Sequence, residues 1–199
     1  KKINTETTAL LRGEKCLTNV SKNIACNFID NKKQKTLWML GDSHTSTLAL
    51  AGKRIANLGE MNLRLYQADI TTFPPITKYQ KAGKQKDLQS VNDFRFVEKK
   101  LHSQLKDGDV ILLTMRMPYH FGGTYYEYPA SDLIFKRKDG SFGSQENHFD
   151  EWITSVINLA DIAEKKGAKV IIQTPTPEWK EELNKSWSKN EWFHISQKT

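Results

Sequence analysis

Long hydrophobic runs are missing from this chain. No apolar stretch approaches the roughly 18 residues that a membrane-spanning helix needs, and no signal segment opens the sequence. A start at Lys1-Lys2 is what a mature protein or a piece cut from something longer would show. Cysteine is scarce: Cys16 and Cys26 are the only two. Two thiols are too few for the common zinc sites, and no histidine lies close to them in sequence. They are either two free thiols or one disulfide closing a short loop, and a disulfide would imply an oxidising compartment. Acidic charge is in deficit, with 23 Asp and Glu against 30 Lys and Arg, for a net charge of +7. Such a surface steers anionic partners without specifying them. The basic residues are scattered among Lys32, Lys33 and Lys35, then Lys78 to Lys86, Lys99-Lys100 and Lys136 to Lys138. No basic helix or aromatic-interleaved motif gathers them, so the charge reads as a solvated face and nucleic acid is not an expected partner.

What is present is enough for one domain. A length of 199 residues, 38% hydrophobic and 27% charged, can bury a real core, and no break in composition argues for two units. The expectation is a single domain over 1–199 with a turn-rich leader over 1–35 that holds both cysteines.

Leu37-Trp38-Met39-Leu40 is an apolar run short enough for a buried strand. It breaks at Gly41, places Asp42 and Ser43 on a turn, and passes through His44 into a helix over Thr45 to Leu58 that Gly59 closes. A serine at the carboxyl end of a buried strand lies on the ligand-binding edge of an open α/β sheet. An ordinary strand-to-helix turn uses the same residue types. Leu63 to Tyr66 reads as a second strand, followed by a loop whose Pro74-Pro75 forbids a regular element. Lys78 to Ser90 is polar and reads as a mobile loop. Asn92 can cap a helix carried by Phe94, Val97, Leu101 and Leu105. Val110 to Met115 has the continuous apolar character of a central parallel strand, and Arg116 to His120 at its carboxyl end should face the same crevice as Ser43. The aromatic stretch from Phe121 to Gly143 is either a binding loop or a β-hairpin turning at Asp139-Gly140. Asn147 is the expected cap of a helix over Phe149 to Ala163 that Gly167 ends, with His148 in its first turn. Ala168 to Gln173 is a last strand, leading into Thr174-Pro175-Thr176-Pro177. Strands alternating with crossover helices predict an α/β fold, a mostly parallel sheet with helices on both faces in three α/β/α layers.

Gly41-Asp42-Ser43-His44 after an apolar strand resembles block I of the SGNH, or GDSL-type, hydrolases. The histidine after the serine is most similar to the SGNH domains attached to family-three membrane acyltransferases, which O-acetylate cell-surface polysaccharides. Pro74-Pro75-Ile76 and Thr174 to Pro177 are similar to the same subgroup, and the resemblance covers most of Cys16 to Trp179. It implies a flavodoxin-like arrangement, a Cys16–Cys26 disulfide and an extracytoplasmic, periplasmic or cell-surface location. It further implies that Ser43 is the acyl-accepting nucleophile, with its backbone N–H in the oxyanion hole, while Gly41, Asp42 and His44 shape block I.

Two departures from the family pattern bear on the site. The glycine of block II is missing, which leaves the backbone of Thr71 to Phe73, with Thr72 at its centre, as the source of the second oxyanion donor. The block III asparagine is missing too, and Arg116 stands where the subgroup often has arginine. It would stabilise the oxyanion or orient an anionic sugar, or else pair structurally with Asp42 or a surface acid.

The family's closing Asp-x-x-His is absent. Its nearest approach is Glu191-Trp192-Phe193-His194, which comes soon after Trp179 with no convincing strand between. The expectation is that the chain stops before its real block V; the alternative is that His194 is the base and Glu191 its orienting acid. His44, His102 and His120 are weaker candidates. The resemblance implies an acyl donor, a polysaccharide or sugar acceptor, and a membrane acyltransferase domain in the same parent chain. Serine acyl chemistry needs no metal or nucleotide cofactor, and none is signalled. A sugar-directed or lipid-directed esterase and a non-catalytic glycan-binding domain are the competing readings.

Overall fold

The computed structural model describes residues 10, 16–18, 24–68, 71–76, 79–81, 87–122, 135–137 and 140–173. Its elements run β1 (Cys16–Thr18), β2 (Ile24–Phe28), β3 (Lys35–Gly41), α1 (Ser43–Thr47), α2 (Ala49–Leu58), β4 (Met61–Gln67), β5 (Tyr79–Lys81), α3 (Asp87–Gln104), β6 (Val110–Thr114), α4 (Met117–Phe121), β7 (Phe135–Arg137), β8 (Phe142–Gly143), α5 (Gln145–Lys165) and β9 (Lys169–Ile172).

The main sheet has six strands in the order β1-β2-β4-β3-β6-β9. β4, β3, β6 and β9 are parallel neighbours, whereas β1 pairs with β2, and β2 with β4, antiparallel. Helices cover both faces because the alternation of side chains along the strands demands it. Trp38, Leu40, Ile111 and Leu113 point into one core with Phe94 and Leu101 of α3 and Trp152 and Leu159 of α5. Leu37, Met39, Leu63 and Leu65 point the other way, against Ala49 and Ala56 of α2. The fold is therefore the three-layer α/β/α arrangement with a mostly parallel sheet.

The segment read as a leader supplies β1 and β2, whose register sets Cys16 opposite Cys26, and the two are disulfide-bonded. At the opposite end of the sheet from Ser43, buried Asp109 accepts hydrogen bonds from the backbone N–H of Thr36 (2.7 Å) and the indole N–H of Trp38 (3.3 Å).

Four local expectations are corrected. The helix read over Thr45 to Leu58 is two helices that meet at Leu48, because the Ser46 and Thr47 hydroxyls donate back to the carbonyls of Ser43 (2.9 Å) and His44 (2.8 Å) and tighten the first turn. α3 starts at Asp87, so Asn92 is an exposed interior position rather than its cap; Leu88 and Val91 extend the apolar spacing of Phe94 and Val97 back into the first turns. The cap of α5 is Ser144, which accepts from the Asn147 N–H while the Asn147 side chain accepts from the Ser144 N–H, a reciprocal capping box. The stretch read as a mobile loop over Lys78 to Ser90 contributes β5, which pairs with β7 in a second sheet. In that sheet β7 pairs antiparallel with β8, as the hairpin reading expected, while residues 123–134 of the aromatic stretch lie outside the described residues. Among the described residues no helix is long and apolar enough to cross a membrane.

Candidate active site

Gly41 ends β3 level with Gln67 of β4 and Thr114 of β6, so three parallel strands finish together beneath Ser43. Glycine is required at this turn. A Cβ at position 41 would drive into the carbonyl oxygen of Thr114, and it would also crowd the Thr45 hydroxyl. That hydroxyl in turn hydrogen-bonds Thr114 through its carbonyl (3.2 Å) and its side chain (2.6 Å), tying α1 to the end of β6.

Asp42 is buried and caps α1, its Oδ1 accepting from the His44 N–H at 2.9 Å. Its Oδ2 accepts from the backbone N–H of Arg116 at 2.8 Å and faces His120 Nε2 at 2.9 Å. The His44 ring stands further off, with Nδ1 3.4 Å from Oδ1. Burial works to raise the Asp42 carboxyl pKa. The hydrogen bonds from His120 and His44, the His120 charge and the Arg116 N–H outweigh it and hold the group well below the usual carboxylate range. An ionised carboxylate only accepts, so the proton of this bond lies on His120 Nε2.

Ser43, the first residue of α1, is exposed, and no described residue hydrogen-bonds its hydroxyl. This is an accessible hydroxyl on a turn that its neighbours hold firmly. Across the sheet edge, residues 71–76 are buried rather than a surface loop. The Thr72 hydroxyl donates to the Pro74 carbonyl (3.0 Å), and the Phe73 N–H donates to Met115 Sδ (3.4 Å). Of the three backbone donors expected here, Phe73 is thereby committed, and those of Thr71 and Thr72 meet no acceptor among the described residues.

Over residues 15–197 the sequence matches the family described as SGNH domain (fused to AT3 domains). The chain belongs to this family. Membership places it among acyl-transfer and hydrolase proteins, and the mostly parallel sheet with helices is consistent with the α/β SGNH fold. No curated protein and no solved structure matches it.

The structure brings Gly41, Asp42, Ser43, His44 and the main chain of Arg116 together at one end of the sheet. Arg116 reaches Asp42 through its main chain. Glu191 and His194 lie outside the described residues. Among the described residues no group of three His, Cys, Asp or Glu side chains is placed to hold a metal ion. His102 sits at the end of α3, in the last turn. The residue that sequence reasoning undervalued is His120. Its position four residues after the end-of-strand Arg116 was a signal that it faces the Ser43 crevice, but nothing in the spacing named Asp42 as its partner.

Proposed function

We propose that this SGNH domain carries out O-acyl, specifically O-acetyl, transfer to a cell-surface polysaccharide through an acyl-enzyme on Ser43. The observation that carries the reading is the exposed Ser43 hydroxyl on a turn pinned through Asp42 to the end of β6. In the proposed cycle Ser43 Oγ forms a bond to the acetyl carbonyl carbon and gives its proton to a histidine base, for which His194 with Glu191 to orient it is the candidate pair in this sequence. The oxyanion is held by the Ser43 N–H and by a backbone N–H at Thr71 or Thr72, helped by Arg116. The bond to the donor's leaving group breaks, that group takes the proton, and a sugar hydroxyl then collects the acetyl by the reverse steps. Replacing the sugar hydroxyl with water makes the same site an esterase.

A cavity of about 650 Å³ beside α4, lined by Met117, Pro118, Phe121, Phe149 and Glu146, supports a sugar acceptor. Aromatic walls with a polar rim suit the apolar faces and hydroxyls of a glycan. The Cys16–Cys26 disulfide supports an extracytoplasmic location, and fusion of the family to AT3 domains supports a membrane acyltransferase domain in the parent chain.

The test is to incubate the chain with an aryl acetate and weigh the intact protein. A single added acetyl group that is lost in Ser43→Ala and slowed in His194→Ala and Glu191→Gln supports the reading. An added group that persists in His194→Ala removes that residue as base. No acetyl on either the wild type or Ser43→Ala, with oligosaccharide binding intact in both, replaces the enzyme with a glycan-binding module.

A further inference from the structure

His120 is a buried imidazole, only 5% exposed, on a helix that begins directly after the end of β6. Its ring meets Tyr119 edge-on at 5.1 Å and lies 6.2 Å from Phe121, so one flank is apolar. A polar ring placed there costs free energy unless a partner satisfies it. The partner is the carboxylate next to the exposed serine, 78 positions away in sequence.

Asp42 spreads its two oxygens over donors from separate elements. Oδ1 takes the His44 N–H of α1, and Oδ2 takes both the Arg116 N–H at the β6–α4 junction and the His120 ring of α4. The first bond fixes the peptide that follows Ser43; the other two decide where the carboxylate stands while it does so. With His120 gone, the carboxylate would keep only two main-chain donors, the His44 N–H on Oδ1 and the Arg116 N–H on Oδ2, and would lose the one side-chain bond that fixes its tilt between them.

We propose that His120 is a positioning residue for the Ser43 reaction: by donating from Nε2 to Asp42 Oδ2, it holds the carboxylate that sets the Ser43 turn against the sheet edge. This inference rests on the reading of Ser43 as an acyl-accepting nucleophile. His120 acts through Asp42 and takes no proton from the substrate. A displacement of the nucleophile by a fraction of an ångström is sufficient to slow acylation, because the reacting atoms must meet within a narrow range of distance and angle.

The experiment compares His120→Gln, whose amide reaches the place of Nε2, with His120→Asn, polar but too short, in aryl acetate acylation normalised to folded protein. His120→Asn is expected to lower kcat on the order of 10- to 100-fold with KM little changed. His120→Gln should recover most of that loss. Added to Asp42→Asn, His120→Asn should cost nothing more, since both remove the same link. Hydrogen exchange of the Arg116 and His44 amides, both bound to Asp42, should quicken in His120→Asn and not in His120→Gln.

Wild-type kcat in His120→Asn, equal losses in the two variants, or losses that multiply with Asp42→Asn would each overturn the proposal. If neither the wild type nor Ser43→Ala traps acetyl, the acyl reading itself fails and the catalytic part falls with it. Amide exchange then stands alone: quickened exchange upholds His120 as the anchor of Asp42, and unchanged exchange refutes it.

Discussion

The indole N–H of Trp152, in the middle of α5, donates to the carbonyl of Phe73 at 3.2 Å. A residue of the long surface helix thus holds the loop expected to supply an oxyanion donor, and Phe121 of α4 packs against the same indole at 5.3 Å. Trp152→Phe keeps most of the apolar contact but leaves a buried carbonyl without its donor, a cost of about 2 kcal/mol. Urea unfolding should show that loss, and aryl acetate acylation should slow beyond what the smaller folded fraction explains. An unchanged rate per folded molecule would detach the 71–73 loop from the chemistry.

The depressed Asp42 pKa sets a sign for acid stability. A carboxyl whose folded pKa lies below its unfolded value, here 3.8, contributes stability that is complete above that value and is lost as pH falls through it towards the folded one. Wild-type stability should therefore decline as pH is lowered from about 5 towards 2. Asp42→Asn should be less stable by about 2 kcal/mol at neutral pH and should show a shallower acid decline. Urea midpoints measured across that range check it, and parallel curves for the two proteins would contradict it.

Cys26 is fully buried in the core between the sheet and α2, and its bridge to Cys16 fastens the edge strand β1. Replacing both cysteines by serine should cost about 2 to 3 kcal/mol, mainly by freeing the unfolded chain. Reductant should lower the thermal midpoint of the wild type and leave the double variant unmoved. Equal midpoints for wild type with and without reductant would show that the bridge does not matter to the fold.

Gly41→Ala tests the close approach of β3 to Thr114. The new methyl group can be admitted only by separating the ends of β3 and β6, at a cost of about 3 kcal/mol. A folded variant with wild-type stability would show that the strand ends give way more easily than their hydrogen bonds imply.

The strands at the centre of the sheet were legible because a parallel strand buried on both faces is a continuous apolar run; Leu37 to Leu40 and Val110 to Met115 are such runs. The turn at Gly41 to His44 was legible because its residue types and its place after a strand agree. β1 and β2 were not, since Cys16–Thr18 and Ile24–Phe28 are short, mixed in polarity and stabilised by pairing rather than by their own pattern. α4 was read only as the end of a strand, although Pro118 at its start suits a helix beginning. The contact of His120 with Asp42 joins elements far apart in sequence, and only the folded sheet brings them together.

Two buried aspartates sit at opposite ends of the β3–β6 pair: Asp109 receives the Thr36 N–H as β3 begins, and Asp42 receives the Arg116 N–H just after β6 ends. They act as a pair of buckles on one seam. A slip of β6 by a single residue would turn every side chain of that strand to the wrong face, and it would also strip each carboxylate of the amide donor it takes across the seam. The seam therefore has one permitted alignment, and the height of Ser43 above the sheet edge follows from it.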